Sequence, residues 1–263
     1  MVDPSPAPLS LAPKFAPDQL TLVGVGPGDP ELLTVAAVKA LEQADVVAHP
    51  VAREGESGMA LAIALPWLQP QQQLLPLAFP MVAEAEPRIS AWHEAADALA
   101  RHVRAGRRVV LLCEGDVSLF ATGSYVQLAL RRRHPDLPFA LIPGIPSVCA
   151  AAAAAAGVAV DLPLALQQEG LLIRPCPETA SDFRKLLQSA RDASTVLGLI
   201  KVGHRWPWVC AALTEMGLLD QALFAQRVGW SDQWVASASQ VPPDARPYFS
   251  LLLIRQLWPE VLP

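Results

Sequence analysis

Three glycines at alternate positions, Gly24, Gly26 and Gly28, close a short apolar run in LTLVGVGPGDPELLT, residues 20–34, and Asp29 follows at once. Glycines at the end of a strand let the backbone turn tightly and approach a bound molecule closely. The commonest occupant of such a turn is the pyrophosphate of a dinucleotide, held by G-x-G-x-x-G opening straight into a helix, with an acidic residue about 20 positions further on. The spacing here is G-x-G-x-G-D-P instead. Pro27 removes an amide from the turn, and Asp29 with Pro30 reads as the N-cap and first residue of a helix, so a carboxylate occupies the place a phosphate needs. A tight strand-to-helix turn that holds nothing is the structural alternative.

Two more turns of this type follow, CEGDVSLFATGS at 113–124 and IPGIPSV at 142–148. Three strand C-termini with small-residue turns belong on one edge of an open α/β sheet, the edge at which such sheets bind ligands. Carboxylate and carbonyl oxygens there suit a cationic ligand with a neutral sugar. S-adenosyl-L-methionine has that chemistry: a sulfonium, an ammonium and two ribose hydroxyls.

Among basic residues Lys201, in LGLIKVGH, stands out because it follows an apolar strand and would cost free energy if buried unpaired. It either binds an acidic group or snorkels at the strand end. His204 and Arg205 extend a basic site or face solvent at a helix start. RRRHP, 131–135, reads as a solvated helix C-terminus complementing the dipole. His49 ends a strand as a satisfied polar group or reaches a cleft, and Trp206, Trp208, Trp230 and Trp234 form either a flat wall for a ligand or buried core. Five histidines without H-x-x-H or carboxylate clustering offer no metal site.

The elements that must position these residues alternate. Strand-like LTLVGVG, DVVAHP, QLLPLAF, RRVVLLCEGD and FALIPG are separated by helical patterns at Pro30–Ala44, 57–68, 87–104 and 121–133, and an alanine-rich helix follows. That order predicts a mainly parallel sheet covered on both faces. After Gly157 five strand-like runs, EGLLIRP, TVLGLIKVG, ALFAQRVGW, QWVASAS and PYFSLLLIRQ, have only two helices among them, which predicts a mixed sheet. The domain reading is a disordered proline-rich tail over 1–19, an N-terminal α/β domain over 20–158 and a C-terminal α/β mixed-sheet domain over 159–263.

Composition excludes several classes. At 263 residues, 52% hydrophobic and 17% charged, the chain can bury one large or two modest cores. A net charge of -5 argues against nucleic-acid and anionic-membrane surfaces. The uncharged span Leu137–Val160 is long enough to cross a bilayer, but Pro143, Gly144, Pro146 and Gly157 interrupt it, so it reads as strand, turn and packed helix. No signal peptide is legible at the start. Cys113, Cys149, Cys176 and Cys210 are scattered in apolar runs and read as buried free thiols, which fits a reducing cytoplasm.

The segments GVGPGDPELLT, LLCEGDVSLF, IPGIPSVCAAAA and PYFSLLLI, in this order over residues 20 to 256, resemble the tetrapyrrole (uroporphyrin/corrin) methyltransferases. G-x-G-P-G-D with a later G-D turn is similar to the whole superfamily, while E-G-D-V-S-x-F and PYFSLLLI resemble the branch acting on C20 of precorrin-2. The resemblance implies two α/β domains with the cofactor cleft between them, a homodimer, and transfer of a methyl group from S-adenosyl-L-methionine to C20 of precorrin-2, or of its cobalt form, in cobalamin biosynthesis. It assigns Gly26, Pro27, Gly115, Asp116, Val117, Ser147 and Val148 to the cofactor site, with the backbone around Val202 and Val228 closing over the adenine. Pro146 departs from the serine of many relatives and removes one hydroxyl and one amide from that turn. The macrocycle implied by the resemblance supplies its own carbon nucleophile, so the protein has mainly to align the reactants. Asp116 then steers or polarises, or caps a helix, and Lys201 is the candidate catalytic residue, binding a substrate carboxylate or stabilising the reacting ring. Action at another ring position or on a protein side chain, and a non-catalytic binding homologue, are the alternative readings.

Overall fold

The structure is a computed structural model that describes residues 19–53, 55–158 and 163–260. The proline-rich tail over 1–18 lies outside the described residues. Two compact units divide the chain between Ile145 and Pro146.

In the first unit, strands β1 (Leu20–Gly24), β2 (Val46–Val51), β3 (Gln73–Ala78), β4 (Val109–Cys113) and β5 (Phe139–Ile142) form one sheet in the order β3-β2-β4-β1-β5. Every pairing in it is parallel. Parallel strands need crossover connections, and helices α1 (Val35–Gln43), α2 (Met59–Ala64), α3 (Ala85–Arg104) and α4 (Thr122–Arg133) supply them. Leu20, Leu22, Leu111 and Cys113 pack on one face with Ala96, Leu99, Val126 and Leu130 of α3 and α4, while Val23, Val47 and Val110 are as deeply buried on the other. A sheet buried on both faces explains why its strands read as continuous apolar runs.

The helix expected over Pro30–Ala44 is two pieces. Pro30–Leu32 is a 3-10 turn whose Glu31 amide donates to Asp29 at 2.8 Å, and Leu33 is extended. The α-helix then starts afresh because Thr34 accepts from the Ala37 amide at 3.1 Å. Asp29 therefore caps the turn and Thr34 the helix. The helix expected over 57–68 likewise ends at Ala64 and finishes as a 3-10 turn containing Pro66.

In the second unit, β6 (Gly170–Pro175), β7 (Thr195–Ile200), β8 (Ala222–Gln226), β9 (Trp234–Ser237) and β10 (Ser250–Ile254) lie in the order β6-β7-β10-β8-β9. Only β6 with β7 is parallel, so the sheet is mixed as expected. Helices α5 (Ser147–Ala154), α6 (Ala180–Asp192) and α7 (Trp206–Glu215) complete it. Alanine-rich α5, placed by the sequence reading with the first domain, groups with this unit. It sits close because Gly198 of β7 leaves room for Val148, whose Cγ1 lies 3.3 Å from where a Cβ would be. Buried Arg255 pairs with buried Glu169 and also donates to the Pro163 carbonyl at 2.5 Å, tying the exit of β10 to the segment before β6.

Among the described residues no helix is long and apolar enough to cross a membrane, and none of the four cysteines is bonded. Cys113 and Cys176 are buried, with burial pushing both thiols up to about 12. Cys149 is exposed and Cys210 half-buried, so the expectation of buried thiols holds for two of the four.

The three arginines of RRRHP are exposed, as a solvated helix end requires, and two of them are also engaged. Arg133 and His134 both reach Asp97 of α3, at 2.7 and 2.8 Å, and Arg131 lies over Phe139. The Arg133 hydrogen bond lowers the Asp97 pKa from 3.8 to about 2. A depressed carboxylate contributes stability above its unfolded value and loses it as pH falls through the folded one. Asp97→Asn should therefore cost less than about 1 kcal/mol at neutral pH, the pair being partly solvated. Urea midpoints of wild type and variant should converge as pH falls from 4 to about 2; a gap that stays constant over that range refutes the assignment.

Candidate functional site

The three glycine turns meet at the C-terminal edge of the first sheet, where register places Gly24 beside Cys113 and Val23 beside Ile142. Beyond the strands, Gly26 and Gly115 pair through both backbone groups, at 3.2 and 2.8 Å. Each has a positive φ, +77° and +65°, which glycine adopts without cost. Gly24 and Gly144 lie closer still. A Cβ on Gly144 would stand 2.1 Å from the Gly115 carbonyl oxygen, and one on Gly24 would stand 2.5 Å from the Gly144 nitrogen. The strand ends of β1, β4 and β5 are thus interlocked, backbone against backbone.

Asp116 locks the third turn to the second. One carboxylate oxygen accepts from the Ser118 amide and hydroxyl at 2.9 and 2.5 Å, and the other accepts from the Gly144 amide at 2.9 Å. Burial opposes its charge, but these donors prevail and hold its pKa below the ordinary carboxylate range. Asp116 does not cap α4, whose N-cap is Ala121. An ionised carboxylate has about four acceptor positions, and with the Val117 amide as a further donor the turn itself occupies them.

The edge formed by 24–29, 113–121 and 142–146 contains Asp29, Glu114 and Asp116 and no Lys or Arg. Burial pushes the Glu114 pKa up. Together with the Thr34-capped start of α1, this composition disfavours a pyrophosphate and matches a sulfonium, an ammonium or hydroxyl donors.

The other expected site residues fall as follows. Pro27 is half-buried between Gly26 and Gly28, and Val117 sits in the core while its carbonyl accepts from Ser124 at 3.0 Å. Ser147 is the first residue of α5, whose N-cap Pro146 makes no side-chain capping bond, and Val148 is buried. Val202 is buried in the second core, its amide donating to the Ser250 carbonyl and its own carbonyl accepting from Arg205, both at 3.0 Å. Val228 is buried beyond β8. Lys201 is half-buried one residue past β7, at φ +59°, with its ammonium 5.8 Å from the centre of the Tyr248 ring. Arg205 pairs with Glu178 and donates to the Lys201 carbonyl at 3.2 Å, so it positions that backbone and does not extend a basic patch.

Trp206, Trp208 and Trp234 belong to the core and its margin, with Trp206 Nε1 donating to the Pro242 carbonyl at 2.8 Å. His49 is buried, burial lowers its pKa, and its Nδ1 has no hydrogen-bond partner among the described residues. No group of metal-ligating side chains occurs among the described residues.

Sequence reasoning missed the Gly24–Gly144 contact, which only the β1–β5 pairing reveals. It also missed Phe120, a left-handed aromatic that is 46% exposed just after the Asp116 turn. The glutamate preceding Gly115 was a legible signal for Glu114.

A two-unit α/β chain whose parallel sheet ends in interlocked glycine turns, free of cations and unlike a dinucleotide site, defines the class. The sequence profile of the tetrapyrrole (corrin/porphyrin) methylases matches residues 19–240, and the chain belongs to that family. It is 35% identical over 240 residues to a Sinorhizobium protein named precorrin-2 C(20)-methyltransferase, covering 88% of this chain and 93% of the relative. It is 31% identical to the cobalt-precorrin-2 C(20)-methyltransferase of Salmonella typhimurium, covering 91% and 97%. A cobalt precorrin-4 methyltransferase structure superposes with TM-score 0.62 at 21% identity over 94% of this chain and 98% of that one. A Thermus thermophilus uroporphyrin-III C-methyltransferase complexed with S-adenosyl homocysteine gives 0.59 at 22% identity over 90% and 92%. These two likenesses concern the fold.

Gly144→Ala should destabilise the protein by about 1–3 kcal/mol, since the added methyl meets backbone and cannot be relieved by a side-chain rotation. Thermal unfolding measures it, and a stable Gly144→Ala protein with wild-type midpoint contradicts the interlock.

Proposed function

We propose that this chain transfers a methyl group from S-adenosyl-L-methionine to C20 of precorrin-2, in its metal-free or cobalt form, within cobalamin biosynthesis. The observation that carries this reading is the 35% identity, over nearly the whole of both chains, to a protein of that name. The donor set of the first unit supports the cofactor: acidic and carbonyl oxygens at glycine-lined strand ends, without a cation.

S-adenosyl-L-methionine, when bound, supplies an electrophilic methyl on a positively charged sulfur. In the first unit Gly26, Pro27, Gly115, Asp116 and Val117 would hold it, Asp116 keeping its turn fixed while its ionised carboxylate favours a cation. Ser147 and Val148 at the start of α5, and the backbone near Val202 and Val228, are the second unit's proposed contributions. The Val202 amide is already engaged by Ser250, which leaves its carbonyl's second lone pair as the backbone group it can offer. Lys201 is proposed to meet a carboxylate of the substrate. The ring carbon is itself the nucleophile, so alignment and exclusion of water are the work left to the chain.

A homodimer and a cytoplasmic location go with this reading. The unbonded cysteines fit a reducing compartment, and light scattering at micromolar protein tests the dimer, which a monomer mass contradicts.

Incubation with precorrin-2 and carbon-13-methyl cofactor should give one new labelled methyl, at C20 by NMR. Calorimetry should show one S-adenosyl-L-methionine per chain and no comparable heat with NAD. A label at any other carbon overturns the position of transfer, and tight NAD binding overturns the cofactor.

A further inference from the structure

The second sheet presents two cations on left-handed backbone at one of its ends. Lys201 follows β7 at φ +59° and Arg227 follows β8 at φ +49°. Strand β10 runs between those two strands in the opposite direction, so the residues that lead into it, Tyr248 and Phe249, lie between the two cations. Hydrogen bonds hold this arrangement on both sides. The Val202 amide donates to the Ser250 carbonyl at 3.0 Å, and the Arg227 amide donates to the Phe249 carbonyl at 2.9 Å. With two strand spacings of about 4.8 Å, the backbones of Lys201 and Arg227 stand about 10 Å apart.

Between them is exposed aromatic surface. Tyr248 and Phe249 are 43% and 42% exposed and pack edge to face, with ring centres 5.2 Å apart. The Lys201 ammonium lies over the Tyr248 ring, and the Arg227 guanidinium lies 5.0 Å over the ring of Trp230. Asp232 takes only Nε of Arg227, at 2.7 Å. That bond orients the planar fork while its terminal nitrogens remain suited to a second, bidentate carboxylate. Among the described residues no ion pair involves Lys201. The backbones of the two cations thus flank the aromatic pair across three adjacent strands, an arrangement that suits a flat apolar ligand with carboxylates along its rim.

We propose that Arg227, with the Tyr248–Phe249 pair, forms together with Lys201 the subsite that receives rim carboxylates and ring surface of a polycarboxylate macrocycle, and that Arg227 selects for carboxylate number. The inference rests on the proposed tetrapyrrole reading and deepens it.

Binding of an octacarboxylate and of a tetracarboxylate porphyrin, followed by fluorescence quenching, tests it independently of turnover. Wild type should prefer the octacarboxylate. Arg227→Gly is the informative variant, because glycine takes the left-handed backbone freely and the urea midpoint reports that the fold is kept. It should lose octacarboxylate affinity by about tenfold or more, as expected for a charged hydrogen bond, while calorimetric cofactor affinity is unchanged. Should Arg227→Gly fail to fold, Arg227→Asn, which also tolerates this backbone, gives the same readout.

A folded Arg227 variant that binds both porphyrins like wild type, or loses cofactor affinity in equal measure, overturns the inference. If wild type methylates C20 and the variant keeps its porphyrin affinity, only the inference fails. If wild type does not methylate precorrin-2 yet the octacarboxylate preference depends on Arg227, the proposed reaction fails and the subsite stands.

Discussion

Close contact between the backbones of Gly24, Gly115 and Gly144 is the constraint on which the first unit's edge depends. Three parallel strands ending side by side would ordinarily splay into independent loops. Here the ends are so near that no Cβ fits at Gly24 or Gly144, and Gly26 and Gly115 spend backbone hydrogen bonds on each other. Asp116 adds the third tie by accepting from Gly144. The edge is therefore preorganised, and the conformational entropy that a loop-built site would lose on binding is lost already on folding. Fixing the loops this way consumes amides, which is a further reason for a site of this kind to rely on acceptors.

Electrostatics then separate the two units. The glycine edge of the first offers three carboxylates and no cation, whereas the end of the second sheet offers Lys201 and Arg227 beside aromatic rings. A protein of net charge -5 has no overall attraction for a polyanion, so any affinity for one must be local. Arg205 shows how local: its Nε and Nη2 pair with Glu178 and its Nη1 donates to the Lys201 carbonyl, so a basic residue four positions away contributes backbone support.

Much of the architecture was legible in the sequence because buried parallel strands are unbroken apolar runs and the second unit's strands lack helices between most of them. Boundaries were less so. Pro30 looked like the start of α1, but Thr34 supplies a second cap that the hydrophobic pattern alone does not rank above Asp29. Alanine-rich α5 carries no charge pattern to say which sheet it serves; the deciding residue is Gly198, distant in sequence, which opens a recess for Val148. At the site, the glycine turns and Asp116 were visible as motifs, yet their mutual contacts depend on the strand order β4-β1-β5. Arg227 was invisible for a similar reason, since its relation to Lys201 exists only once β10 runs between β7 and β8.

The left-handed residues distinguish local geometry from a functional demand. Ser194, at φ +46°, follows the C-cap Ala193 of α6, and its amide donates to the Arg191 carbonyl, so ordinary helix termination accounts for it. Lys201 and Arg227 follow strands, where no helix end requires such a backbone. Glycine at either position would relieve a steric cost of about 1 kcal/mol or more. Neither residue is a short side chain of the Asn or Asp type that tolerates this conformation, and both are long cations. A backbone that favours glycine but carries lysine and arginine at the ends of the two strands flanking β10 calls for a contribution from the two side chains that offsets the strain. Their packing accounts for only part of that contribution, since Lys201 touches one ring and makes no ion pair among the described residues. On the proposed reading the remainder comes from a bound anion, which would offset a strain that persists in the free protein.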